Sequence, residues 1–294
     1  MGKYKIQIFI ENLVLSFLTM IKILLTSHFF LRKPKNVVEN KDCLILGNSP
    51  SLEETIKNNP KFLENKDLFA VNFFWKSELF PKIKPRNYVI VSTNYWAQHQ
   101  IITNKEGRLA TFKEIAKIVD WKMFLFVPAM AKNHKTWKIE LEANKNITIV
   151  YFNVTPVEGF TSLNHFFFKT GLGMPRPHNV LIPSLKFAID LGYENAYLIG
   201  AEHSWLKDLF VGDDNKVYLS QKHFYDTKTA KAEVMYKGST DDERNLSEVL
   251  MKFVYSFNSY YVLNNYAKSR NVKIFNATEN SYIDAFERVK LSTL

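Results

Sequence analysis

The sequence is poor in cysteine, glycine and proline. Its 294 residues contain one cysteine, Cys43, with ten glycines and ten prolines. A single cysteine excludes a disulfide within the chain, as is typical of proteins from a reducing compartment. Cys43 lies in an apolar run and is expected to be a small buried hydrophobic residue. A chain of this length with 46% hydrophobic residues can bury one large core or two modest ones.

Several catalytic signatures are missing as well. The chain has no G-x-G-x-x-G fingerprint, no P-loop and no Gly-x-Ser-x-Gly elbow. The acidic clusters Asp213-Asp214 and Asp241–Glu243 do not follow a strand, so we expect no metal site. A net charge of +10 favours an anionic partner. The basic residues do not form the runs typical of nucleic-acid binding, which favours a membrane surface or a phosphate-bearing substrate.

Residues 6–31 are strongly apolar, but Glu11 and Lys22 interrupt the run, so it is not a clean transmembrane span. A narrow polar stripe recurs at helical spacing: Asn12, Ser16, Thr19, Lys22 and Thr26. A basic cluster follows: Arg32, Lys33 and Lys35. No signal-peptide cleavage site is evident. The helix either lies in the interface of an anionic membrane or packs on the domain or on a second copy. The width of its apolar face favours the membrane.

Apolar, strand-like runs alternate with helical patterns through the remainder of the chain. This alternation predicts an α/β fold, with a Rossmann-like, mostly parallel sheet covered by helices on both faces. We therefore predict an N-terminal amphipathic helix in residues 1–34 and a Rossmann-like domain in residues 35–294. The predicted strands are 43–46, 67–71, 87–93, 123–127, 147–152, 196–200 and 272–275, and the predicted helices are 111–121, 183–191 and 242–270. Residues 202–243 have weak periodicity and are predicted to form a lid.

The first predicted strand ends at Gly47 and leads at once into a helix signal. Either Ser49 caps this helix with Pro50 at its first position, or Ser51 caps it and Glu54 completes a capping box. Both alternatives aim backbone N–H groups outward, which suits a phosphate.

Ligands of open α/β sheets bind beyond the carboxyl ends of the strands. Polar residues follow four of the predicted strands: Asn48 and Ser49, Asn72, Thr93 and Asn94, and Glu202, His203 and Ser204. These hydrogen-bonding groups predict a pocket for a nucleotide or a sugar.

Three segments carry a resemblance to a known family. They are Gly47-Asn-Ser-Pro-Ser-Leu52, Asn72 within Ala-Val-Asn-Phe-Phe, and Asp190-Leu-Gly-Tyr-Glu-Asn-Ala-Tyr-Leu-Ile-Gly200, with an echo in Val272–Ser281. Together they resemble the bacterial sialyltransferases of the Campylobacter type, glycosyltransferase family 42. The first segment also resembles a related group that includes pterin pyrophosphokinases and flagellin glycosyltransferases.

The resemblance implies a Rossmann-like glycosyltransferase that needs neither a metal nor another cofactor. It would transfer sialic acid or a related 2-keto sugar acid from a CMP-sugar to a cell-surface glycan. It also implies that the nucleotide is held by a set of loop and strand-end residues: Gly47, Asn48, Ser49, Ser51, Asn72 and Asn94. The family's general base is a histidine in the late lid, which here corresponds to His223.

His203 is the second candidate for the base, since imidazole titrates near neutrality. Glu202 is a candidate contact for a ribose or acceptor hydroxyl. Four further residues are candidates for contacts to the phosphate or the substrate: Arg176, Asn179, Tyr218 and Tyr225. His178, beside Arg176, is another candidate for phosphate.

The expected partners are a nucleotide sugar, a glycan or lipid-linked acceptor and a membrane surface, without nucleic acid; a homo-oligomer is compatible. A cytoplasmic protein attached to the inner face of the cell membrane would meet both substrates. Two other functions stay open: a pyrophosphokinase-like transferase, and a non-catalytic nucleotide-sugar-binding protein at the membrane.

Overall fold

The computed structural model describes residues 2–32, 34–35, 37–96, 105–134, 136–220, 223–225, 231–237 and 242–293. Lys33 of the predicted basic cluster lies outside these ranges. The helices are α1 Gly2–Thr26, α2 Leu52–Asn58, α3 Leu79–Ile83, α4 Lys105–Ile118, α5 Ile139–Ala143, α6 Thr161–Thr170, α7 Leu181–Leu191 and α8 Leu246–Ser269. The strands are β1 Asp42–Leu46, β2 Lys66–Val71, β3 Asn87–Val89, β4 Met123–Pro128, β5 Ile147–Phe152, β6 Asn195–Ile199, β7 Leu209–Val211, β8 Val217–Leu219, β9 Glu233–Val234, β10 Lys273–Asn276 and β11 Glu287–Arg288.

Eight strands form one parallel sheet in the order β11-β10-β6-β1-β2-β3-β4-β5. The predicted α/β, Rossmann-like fold is therefore confirmed. β1 lies between β2 and β6, and Cys43 to Leu46 are fully inaccessible to solvent. A strand covered on both faces must be apolar throughout, which explains its unbroken hydrophobic run. The buried side chains form a core on each face of the sheet.

The predicted elements differ from the observed ones mainly at their ends. The strand predicted over 87–93 ends at Val89, and the helix predicted from Thr111 already begins at Lys105. α6 is absent from the prediction; Phe160 precedes it and provides no side-chain cap, so the usual start signal is missing. The predicted lid contains a small antiparallel sheet of β7, β8 and β9.

α1 packs against the domain through its polar stripe. Ser16 Oγ accepts from the backbone N–H of Phe160, and Thr19 Oγ1 both donates to the carbonyl of Glu158 and accepts from its N–H. Ser27 Oγ donates to the carbonyl of Leu172. The helix thus satisfies backbone groups of the loop between β5 and α6 and of the turn after α6. Within the described part of the chain, Tyr4–Thr26 is the helical segment whose length and apolar composition would suffice to cross a membrane.

Candidate functional site

The turn after β1 is locked against the end of β6. Gly47 N–H donates to Ile199 O at 2.8 Å, and Ser49 N–H donates to Gly200 O at 3.0 Å. A Cβ on Gly47 would lie 2.1 Å from Gly200 O, so position 47 has no room for a side chain. Gly200 has φ +63°, a conformation that glycine adopts at low cost. The two glycines therefore let adjacent strand ends approach closely.

The predicted side-chain caps of α2 are wrong. Ser51 occupies the N-cap position with helical backbone angles, and its side chain makes no capping hydrogen bond. The Ser51 N–H instead donates to Glu202 Oε1 at 3.0 Å. A carboxylate from the end of β6 thus satisfies the start of α2, as an anion does at a helix N-terminus. Because Glu202 is already there, the expected phosphate position at this turn is filled by the protein's own negative charge.

A cavity of about 450 Å³ opens beyond the carboxyl ends of β1, β2 and β6. This volume falls within the usual range for small-molecule sites. Seven of the predicted site residues share its lining: Asn48, Ser49, Asn72, Asn179, Glu202, His203 and His223. The sheet therefore brings together Asn48 and His203, which are 155 positions apart in the chain, as expected where parallel strands end at one edge.

Three lining residues each hold a buried polar atom that has no hydrogen-bond partner within the described ranges. These atoms are Asn48 Oδ1, Asn179 Nδ2 and Glu202 Oε2. Their neighbouring atoms are engaged, since Asn48 Nδ2 donates to Val71 O and Asn179 Oδ1 accepts from the Leu181 N–H. Such buried groups are costly unless something pairs with them. One donor and two acceptors match the hydroxyl and carbonyl groups of a nucleoside or a sugar.

His203 is held inside the protein. Tyr260 donates its hydroxyl proton to Asn179 Oδ1 at 3.1 Å, so the contact of 2.6 Å between Tyr260 Oη and His203 Nε2 requires a proton on Nε2. The ring also stacks on Trp205, with centroids 4.1 Å apart. Burial lowers the pKa of His203 to about 3. An imidazole that resists protonation is a poor general base, and His203 instead orients Asn179 through Tyr260.

His223 reaches the cavity because its segment lies on the first loop. The N–H of Phe224 donates to Asn48 O at 3.0 Å, and the ring of Phe224 is buried against Phe74. The imidazole of His223 stacks on Tyr225, with centroids 5.2 Å apart and planes at 3°. The described part of the lid therefore places a half-buried imidazole directly over the turn that follows β1.

Lys252 of α8 is a cavity residue that the sequence analysis missed. It is the one Lys or Arg among the described lining residues, and within the described ranges no carboxylate forms an ion pair with its ammonium group. Burial, and then the charge of Arg244, lower the pKa of Lys252. His178 also lines the cavity; burial and then the Lys252 charge lower its pKa. A bound anion would stabilise the positively charged forms of both side chains. Lys252 is one of two lysines in the long helix α8, and nothing in its local sequence distinguishes it from the other, so the sequence carried no signal.

Arg176, predicted to contact phosphate, lies outside the cavity lining. Its Nε and Nη2 donate to the two carboxylate oxygens of Glu158, each at 2.7 Å, and Lys22 Nζ lies 3.8 Å from the same carboxylate. The guanidinium also covers the ring of Tyr255. The Glu158 hydrogen bonds raise the pKa of Arg176. This bidentate pair gives Arg176 the structural role of fixing the loop on which α1 docks.

The other predicted contacts have different positions too. Tyr218 donates to Asp214 Oδ2 at 2.9 Å on the small sheet, away from the cavity. Tyr225 packs behind His223 and Phe224. Asn94 lies in a short 3₁₀ turn that Ser92 caps. Gly47 and Ser51 shape the first turn without lining the cavity. No group of three or more potential metal ligands occurs among the described residues.

No family model matches the chain, and no curated protein matches it. Among solved structures, the chain is similar to the MAf glycosyltransferase from Magnetospirillum magneticum AMB-1, with a TM-score of 0.48 and 11% identity. The similarity covers 92% of this chain and 36% of that protein, so this chain spans about a third of its length. At 11% identity the two chains share few side chains, so each site has to be considered separately.

Proposed function

We propose that the protein is a glycosyltransferase that binds a nucleotide sugar in the cavity beyond β1, β2 and β6. The observation that carries this proposal is the set of buried, unpartnered polar atoms on Asn48, Asn179 and Glu202. Uncharged amides and one carboxylate are suited to the hydroxyls and carbonyls of a nucleoside and a sugar. A nucleotide would supply the hydrogen bonds that the described residues leave open.

We further propose that the donor is a CMP-activated acidic sugar. Two observations support this donor class. The residues that resemble the family's cytidine-binding set, Asn48, Ser49 and Asn72, line one cavity. On the α8 side of the same cavity, Lys252 and His178 offer positive charge for the phosphate or for the sugar carboxylate. Glu202, which is anionic, would accept hydrogen bonds from ribose hydroxyls instead.

In the proposed reaction an acceptor hydroxyl oxygen attacks the anomeric carbon of the sugar. The bond from that carbon to the phosphate oxygen breaks, and the electron pair leaves with CMP. His223 takes the proton of the acceptor hydroxyl, while Lys252 stabilises the negative charge on the departing phosphate. We propose that no metal takes part, that the acceptor is a cell-surface glycan, and that the protein acts at the inner face of the cell membrane.

Calorimetric titration with CMP, UDP and GDP tests the donor class. CMP should bind most tightly, and Asn72→Gly, which removes the side chain and tolerates the φ of +51° at this position, should weaken CMP binding. Tighter binding of UDP or GDP would refute the CMP proposal. Transfer from a CMP-sugar should survive EDTA; loss of turnover in EDTA together with ATP dependence would favour a pyrophosphokinase-like enzyme. CMP binding without hydrolysis of, or transfer from, a CMP-sugar would instead indicate a non-catalytic binding protein.

The base assignment is tested with a pair of histidine variants. His223→Ala should lower turnover by roughly 10²- to 10⁴-fold, the usual contribution of a positioned general base. Its affinity for CMP should change little. His203→Asn serves as the comparison, because asparagine tolerates the φ of +52° at this position. Unchanged turnover in His223→Ala would remove His223 from the mechanism.

A further inference from the structure

The outer face of α1 is apolar over about 160° of the helix circumference, at roughly 100° per residue. From residue 10 to residue 25 no polar side chain interrupts this arc, whose members are between 38% and 78% exposed: Ile10, Leu13, Val14, Phe17, Leu18, Met20, Ile21, Leu24 and Leu25. A contiguous apolar surface of this extent is rare on a soluble monomer and marks an interaction site.

The opposite face of α1 is the one that touches the protein. Ser16 is 5% exposed and Thr19 is fully buried, and both bond to the backbone of residues 158–160. A surface helix of a soluble protein buries its apolar side and exposes its polar side. Apart from Ile23, which is buried in the core, this arrangement is reversed in α1, so the domain does not provide the apolar environment that the outer face requires.

We propose that the outer face of α1 lies in the interfacial region of an anionic lipid membrane, with the helix axis parallel to the membrane plane. The charges around the helix fit this occupant. Lys5 near its first turn is exposed, as are Arg32 and Lys35 beyond its last turn, and the whole chain carries +10. Basic residues beside an apolar helix face are attracted to anionic headgroups.

A second copy of the chain fits this face less well. A partner helix covers a seam of roughly 100° or less, whereas the exposed arc is wider by more than half. Exposed bases flank both ends of α1, so a parallel or an antiparallel pair would bring like charges together. A lipid phase covers the complete arc and neutralises the flanking charge.

The contacts of α1 also favour a helix that lies in the membrane plane over a helix that spans the membrane. They run along the helix from Asn12, whose backbone approaches Gly159, to Ser27, which directly follows the helix and donates to Leu172 O. A Cβ on Gly159 would lie 2.2 Å from Ser16 Oγ, which shows how closely the helix and this loop pack. Spanning would require α1 to leave the domain and expose its hydroxyl stripe to lipid, where unpaired polar groups are costly.

Vesicle binding of the full chain tests the occupant. The protein should sediment with vesicles of phosphatidylglycerol and phosphatidylcholine, and less with phosphatidylcholine alone. Phe17→Glu with Leu24→Glu should reduce partitioning by roughly tenfold or more per side chain. The matched control is Leu206→Glu with Val211→Glu, two residues that are 49% exposed in the lid region. This control should bind as the unaltered chain does, and near-UV circular dichroism should show that all variants are folded.

Equal loss of binding in the control pair would overturn the proposal. The proposal would also be overturned if the chain does not bind vesicles but forms a dimer in sedimentation equilibrium, and if Phe17→Glu with Leu24→Glu makes that dimer monomeric.

Orientation is measured with single-cysteine variants. Cys43, the chain's one cysteine, is fully buried, so a thiol-reactive fluorophore should label only a new site. Ile6→Cys, Phe17→Cys and Leu24→Cys would each be labelled and their depth measured by lipid-attached quenchers. Similar, shallow depths at all three positions support an in-plane helix. A deep central label with a shallow label at an end would show a spanning helix and overturn the orientation.

Discussion

Removing the hydroxyl of Tyr260 should weaken nucleotide binding although Tyr260 itself does not line the cavity. The hydroxyl donates to Asn179 Oδ1 and accepts from His203 Nε2. In Tyr260→Phe both partners lose a hydrogen bond inside the protein. Asn179 keeps its bond from the Leu181 N–H but loses the second restraint on its side-chain amide. Its Nδ2 donor is then less firmly aimed at a ligand.

The magnitude follows from the buried groups that lose a partner. A buried polar group left unpaired costs about 1–3 kcal/mol. His203 Nε2 is such a group, since His203 is 8% exposed, whereas Asn179 Oδ1 is still paired. We therefore expect the free energy of unfolding of Tyr260→Phe to fall by about 1–3 kcal/mol. Partial loss of one ligand hydrogen bond should weaken CMP by roughly 3- to 10-fold, since such a bond is worth about 0.5–1.5 kcal/mol.

Tyr266→Phe is the matched control on the same helix. Tyr266 is equally buried, and its hydroxyl donates to Asp190 Oδ1 at 2.7 Å, away from the cavity. Its loss should also destabilise the fold, by about 1.5–3 kcal/mol for a bond to a charged group. Urea unfolding measures stability, and calorimetric titration measures CMP affinity. Only Tyr260→Phe should change both quantities. If the two variants weaken CMP equally, or if neither does, the proposed chain from His203 to Asn179 does not position the site.

Three further perturbations have distinct readouts. Gly47→Ala should lower the free energy of unfolding by about 1–3 kcal/mol or more through its clash with Gly200 O and should abolish CMP binding. Its control is Gly171→Ala, at φ +73° with open space around the Cβ, which should lower the free energy of unfolding by only about 1–2 kcal/mol and leave CMP binding intact. If Lys252 contacts the phosphate, Lys252→Met should weaken the binding of CMP by roughly 10- to 100-fold but leave the binding of cytidine unchanged. Weaker binding of the CMP-sugar alone would assign the lysine to the sugar carboxylate. Unchanged affinity for every one of these ligands would exclude both roles. Because the pKa of His203 is about 3 in the folded chain and near 6.5 when unfolded, stability should fall by about 1.4 kcal/mol per pH unit as pH drops from about 6.5 to 3; His203→Asn should remove this slope, measured by urea unfolding across that range.

The sequence alone determined the sheet and the loops at its edge. A buried parallel strand must be apolar on both faces, and a ligand edge needs polar residues where those strands stop. These two constraints act locally, so the sequence of Cys43 to Leu46 predicts β1, and the strand-end positions of Asn48, Asn72 and Glu202 predict one cavity. The same reasoning marked the polar stripe on α1, because helical periodicity shows which residues share a face.

Only the tertiary structure decided which partners these side chains meet. Arg176 and Lys252 are both cations at long sequence distance from the β1 turn, and nothing local distinguishes them. Glu158 lies against the first and no described carboxylate against the second, so one fixes a loop and the other faces a cavity. Periodicity likewise cannot say which face of α1 is inside. The open backbone groups of residues 158–160 bond to Ser16 and Thr19, and this pairing turns the apolar face of α1 outward.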